Sequence, residues 1–72
     1  MRIFLPPREH GPPHVHVVKG GAEVVIRLGQ TGGPIKLVKV YGMKTSDIVR
    51  AVRLVEVWND DLLAMWKATH GE

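Results

Sequence analysis

Cysteine is absent from the 72-residue chain, so disulfides cannot staple it and the redox compartment is left unconstrained. No apolar run approaches the roughly 18–20 residues that a membrane-spanning helix needs. No block of about five or six like charges marks an interaction tail. The formal charge of +3 permits a nucleic-acid partner without demanding one. Met1-Arg2-Ile3-Phe4-Leu5 is too short for a signal peptide and stops at Pro6-Pro7, so the expectation is a cytoplasmic protein. Gly32-Gly33-Pro34 lacks the Lys-Ser/Thr of a phosphate-binding loop, and no Ser-His-Asp arrangement is present. Neither an internal repeat nor an interdomain linker is visible, so residues 1–72 read as one domain. At this size folding buries only about 60% of the unfolded surface, which leaves a metal, a partner chain or a well-packed core to supply stability. Apolar residues make up 44% of the chain, enough for such a core.

What is present is concentrated. Three of the four histidines fall in Glu9-His10-Gly11-Pro12-Pro13-His14-Val15-His16-Val17, with two prolines between them. On either side the chain reads as strands. Arg2 to Leu5 is a short β-branched and aromatic run ended by proline, the mark of an edge. His14 to Lys19 alternates, Gly20-Gly21 is a two-residue hairpin signal of the type I′ kind, and Ala22 to Leu28 returns. That turn sets a register in which Lys19 faces Ala22, Val17 faces Val24 and Val15 faces Ile26. On the opposite face His14 meets Arg27, His16 meets Val25 and Val18 meets Glu23. Gly29 to Pro34 is a loop, and Ile35 to Tyr41 a fourth strand on which Lys36 and Lys39 fall on opposite sides.

From Thr45 the period changes. Ile48, Val49, Val52, Val55 and Trp58 recur at helical spacing, with Thr45 or Ser46 to cap the start and Asp47 suited to the first turn. Asn59-Asp60 interrupts the stripe before Leu62, Leu63 and Trp66 resume, so a kinked helix or two consecutive helices ending near Thr69 are expected. Trp58 and Trp66, eight apart, are read as anchors on nearly the same side. His70 is read as exposed. The fold class is α+β: a small antiparallel sheet of three to four strands, followed by one kinked or two consecutive C-terminal helices packed on one face.

Three chemistries suit the histidine segment. His14 and His16, two apart on a strand, point the same way with about 6–7 Å between their Cα atoms. With Arg27 they could act as general acid, general base and charge stabiliser on a phosphodiester, since histidine populates both protonation states near neutrality. Arg8, Lys19 and Lys36 are candidate phosphate contacts in that nucleic-acid reading. Alternatively His10, His14 and His16, with Glu9 or Glu23, could hold a divalent metal, the one cofactor considered. In the third reading the histidines are structural, donating ring N–H groups to neighbouring carbonyls and pinning the loop.

The Glu9–Val17 segment resembles the hallmark [Asp/Glu]-His-x-Pro-Pro-His-x-His-[Val/Phe/Ala] of a family of very short bacterial proteins of unknown function. The likeness continues through the glycine turn, Ala22 to Leu28, and Leu54 to Trp66. Gly11 stands where Asn is common. The resemblance implies genes set beside a second small protein in a toxin–antitoxin-like arrangement, or carried on phage and other mobile DNA. It implies no catalytic assignment. The expectation is therefore a component of such a module that binds or cleaves RNA through the His14/His16/Arg27 face. The alternative is a non-enzymatic module, an antitoxin or phage-encoded inhibitor, that binds a protein or nucleic acid with structural histidines. A small partner protein is expected, RNA and a homodimer are compatible with the pattern, and a membrane is not.

Overall fold

Four β-rich segments and one long helical segment each find their element in the computed structural model, which describes residues 1–6, 11–30 and 33–70. The order is β1 (Arg2–Phe4), β2 (His14–Lys19), β3 (Ala22–Arg27), β4 (Lys36–Tyr41) and α1 (Thr45–His70). The strands form one antiparallel sheet in the order β1-β2-β3-β4, followed by the single helix, an α+β arrangement. No helix among the described residues is long and apolar enough to cross a membrane.

The β2–β3 register is the one the glycine turn demands: Lys19 pairs with Ala22, His16 with Val25 and His14 with Arg27. The turn itself differs in type. Only Gly20 takes a positive φ, of 59°, which suits a type II′ turn with glycine at the first central position rather than type I′. Strand alternation then separates two faces. Val15, Val17, Val24 and Ile26 have no solvent exposure and form the core with Ala51, Val55, Leu62 and Leu63 of α1. His14, His16, Val25 and Arg27 project from the other face.

β4 carries an irregularity that reverses a sequence expectation. Lys39 pairs with Val25 and Leu37 with Ile26, so Val38 is an extra residue, a β-bulge. A bulge inserts one residue against the partner strand and shifts the alternation beyond it. Lys36, opposite Arg27, and Lys39, opposite Val25, consequently share the open face instead of lying on opposite sides. β4 is the outer strand on this side and is exposed along its whole length.

The helix is continuous from Thr45 to His70. Its first hydrogen bonds run from the Asp47 and Ile48 N–H groups to the Lys44 carbonyl, which puts Lys44, not Thr45 or Ser46, at the cap position. Asp47 accepts a 3.0 Å hydrogen bond from Lys19 Nζ and ties the helix start to the hairpin end of the sheet. The Asn59-Asp60 pair does not break the helix. Asn59 lies in the buried stripe with Ala51, Val55 and Trp66, and its side-chain amide pairs with the backbone of Gly29: Gly29 N–H to Oδ1 at 2.9 Å, and Nδ2–H to the Gly29 carbonyl at 3.2 Å. A polar residue fits there because β3 has ended and its next backbone groups need partners inside the protein.

Helix and sheet differ in length, and the excess lies at the histidine end of the molecule. From Asp47 to Asn59 the helix rises about 18 Å, close to the roughly 20 Å of a six-residue strand. The last turns of the helix therefore lie at the end of the sheet where β2 begins, with Leu62 and Leu63 still in the core. There Trp66, 1% exposed, lies against His14. Trp58 is half-exposed. The two tryptophans are about 80° apart around the helix, enough to place one inside and one on a flank.

Candidate functional site

Two imidazoles on the open face are fixed by their Nδ1 atoms. His14 Nδ1–H donates to the Pro12 carbonyl at 2.9 Å, the loop-pinning bond that a histidine after Pro-Pro can make. His16 Nδ1–H donates to the Glu23 carboxylate at 2.5 Å, a diagonal contact across β2 and β3 on the same face. A neutral ring that donates through Nδ1 carries its lone pair on Nε2. In His16 that Nε2 is buried.

The rings continue one another. Phe4, paired with His16 across β1 and β2, stacks on it at a centroid distance of 5.2 Å. His16 meets His14 at 5.5 Å, and His14 meets Trp66 at 5.1 Å. Trp66 stacks on His70 at 3.7 Å and 16° between planes, while His70 Nδ1–H donates to the Trp66 carbonyl. His70 is thus not an incidental surface residue: it closes a run of five rings that joins β1, β2 and the end of α1. Such contacts rigidify the face from which the cations project.

Beside these rings lies a shallow groove of about 520 Å³, lined by His14, His16, Arg27, Lys36, Lys39 and Tyr41 among others. A second, larger pocket of about 700 Å³ occupies the corner between the end of the sheet, the segment leading into β4, and the last turns of α1. Arg27 and Lys36 line both, and Lys67 lines the corner pocket. No carboxylate among the described residues lines either depression. Glu23 reaches the groove's border through its bond to His16; Glu56 and Asp60 border a third depression on the helix flank, and Asp47 sits at the hairpin end with its carboxyl held below the ordinary value of 3.8 by the Lys19 hydrogen bond.

The sequence candidates divide accordingly. His14, His16, Arg27 and Lys36 are brought together. Lys19 is at the far end of β2, engaged with Asp47. Arg8, Glu9 and His10 lie outside the described residues, so the three-histidine metal arrangement does too, and no group of three or more potential metal ligands occurs among the described residues. Lys39, Tyr41 and Lys67 border the grooves without having been candidates. Lys39 was hidden by the bulge and Lys67 by its distance along the chain, and a lone Tyr at a strand end carried no signal.

A family model for a domain of unknown function, DUF4160, matches residues 1–67. No curated protein and no solved structure matches the chain.

Proposed function

Since the chain belongs to the DUF4160 family, a domain of unknown function, we propose that it is an RNA-binding component of a bacterial toxin–antitoxin-like or mobile-element module, gripping the RNA backbone on the open face of its sheet. One observation supports this reading above others. The bulge at Val38 aligns Arg27, Lys36 and Lys39 on one face, in a groove whose described lining residues include no carboxylate, the nearby Glu23 being engaged by His16. Phosphate contacts of this kind supply most of the affinity for nucleic acid and make it salt-dependent. Tyr41 at the groove edge offers a ring on which a base can stack. The toxin–antitoxin setting, with a small partner protein, comes from the resemblance of the Glu9–Val17 motif.

The test is fluorescence anisotropy with a labelled RNA oligonucleotide at several salt concentrations. The double variant Arg27→Glu/Lys39→Glu should lose on the order of 100-fold in affinity and flatten the salt dependence. Absence of binding by the wild-type protein, or unchanged binding by this variant, overturns the reading.

Cleavage is the second reading, and the His16–Glu23 bond favours it. A carboxylate on Nδ1 fixes the tautomer that leaves Nε2 as the acceptor, the arrangement a general base uses. The burial of that Nε2 weighs toward binding. A His14→Ala/His16→Ala double variant separates the two. It abolishes RNA cleavage if the histidines are the acid and base, and leaves affinity within a few fold in either case. An RNA that the wild-type protein never cuts removes the second reading.

A further inference from the structure

The corner pocket is a separate feature of the molecule. Its wall is apolar, made by Leu28, Leu63, Ile35 and Pro34, and its rim is cationic, made by Arg27, Lys36 and Lys67. Its floor is held rigidly. Gly29 is buried, clamped by Asn59, and so tightly covered that a Cβ there would come 2.3 Å from the Pro34 carbonyl oxygen. Gln30 stands at the edge and is exposed, with a side-chain amide able to donate and accept. Apolar walls, one adaptable amide and an all-cationic rim suit a ligand that is flat and apolar on its faces, polar on its edge and anionic on one side. A nucleotide has that chemistry.

Continuity with the open-face groove narrows the choice. Arg27 and Lys36 form a cross-strand pair whose side chains border both depressions. A polyanion lying along the groove reaches the corner by passing over that pair, and there it must turn from the face of the sheet to its end. A duplex keeps its bases paired and stacked and cannot place one in such a corner. A single strand can splay a base out and keep its phosphate on the rim.

We infer that the corner pocket takes an unpaired base of single-stranded RNA whose phosphate rests on Arg27, Lys36 and Lys67. This inference rests on the RNA-binding reading and names its substrate class. The probes are a single-stranded RNA of about eight nucleotides, the same strand carrying abasic positions, its duplex, and the equivalent single-stranded DNA. Binding is read by anisotropy on the full chain, with circular dichroism to confirm folding. The single strand should bind about tenfold more tightly than the duplex or the abasic strand. Lys67→Glu, on an exposed position, should remove most of that preference while the duplex affinity changes little.

Equal affinity for intact, abasic and duplex RNA overturns the inference and leaves the open-face reading standing. So does a Lys67→Glu protein that keeps the full preference. Lack of binding to every probe overturns both. Tighter binding of DNA than of RNA overturns the assignment to RNA. Gln30→Ala supplies an independent check: it changes the preference among bases at the splayed position if the amide reads the base edge, and unaltered preference counts against the pocket.

Discussion

The two faces of the sheet are made from the same strands and have almost nothing else in common. On one, Val15, Val17, Val24 and Ile26 are fully removed from water under α1. On the other, the intervening residues His14, His16, Val25 and Arg27 stay partly or largely accessible, and Lys36 and Lys39 join them. The covered face stabilises the domain by removing apolar area from water, an effect that needs volume and shape but no particular chemistry. The open face is ordered differently. Ring contacts and two imidazole hydrogen bonds hold its members in place, so its cations sit on a stiff surface without a layer packed over them. The comparison implies that Val25 and the cations of the second face can change at little cost to the fold, whereas the buried residues of the first cannot.

A pair of substitutions at neighbouring positions tests this most severely. Val24→Asp puts an unpaired charge in the core of a domain whose whole stability is expected to be about 4–11 kcal/mol. The several kcal/mol that such a charge costs should leave the chain unfolded by circular dichroism, without a cooperative melt. Val25→Asp, one residue on, points to the open face. It should fold, melt within a few degrees of the parent, and bind RNA less well. A folded Val24→Asp protein would break the comparison.

The next effect sharpens the boundary where the two faces meet. Asn59→Ala leaves the Gly29 N–H and carbonyl buried without their partner. It should cost on the order of 3 kcal/mol, or roughly 10–20 °C in Tm for a chain of this size. Asp61→Ala, an exposed neighbour on the same helix, should change stability by less than about 0.5 kcal/mol. Comparable losses in urea unfolding for the two would mean that the clamp contributes little.

The smallest effect lies at the opposite end, where Lys19 meets Asp47. The carboxyl is held below its ordinary value of 3.8, chiefly by the Lys19 hydrogen bond, with the charges of Lys19, Lys44 and Arg50 adding and burial opposing. A group with a depressed folded-state pKa contributes stability that is fully present above its unfolded value and is lost as pH falls through the folded one. Asp47→Asn should therefore lower stability modestly at neutral pH and converge on the parent only in acid well below 3.8, once the folded-state carboxyl is protonated. Urea midpoints that differ by the same amount at both pH values would assign the contact no electrostatic part.

Much of this arrangement was legible in the residues. The Gly20-Gly21 turn gave the pairing of His14 with Arg27 and His16 with Val25, because a two-residue loop leaves one register and alternation does the rest. Strand ends fell within a residue of expectation. What misled was local signal with a non-local resolution. Asn59-Asp60 has the composition of a helix cap, yet the helix continues because Gly29, thirty residues away, needs the amide. His70 looked like a surface residue near the end of the chain until Trp66 supplied a ring to stack on.

By itself, then, the sequence determined the elements, the face on which each residue of β2 and β3 lies, and the concentration of histidines at one end of the sheet. These follow from periodicity and turn chemistry, which act between residues close along the chain. The tertiary structure decided how the cations group. A bulge is a property of two strands paired together, and its one extra residue turned Lys36 and Lys39 from opposite sides to a shared one. The helix outran the sheet and carried Lys67 to the same corner as Arg27. Neither outcome is encoded in a local pattern, because each depends on where one element ends against another.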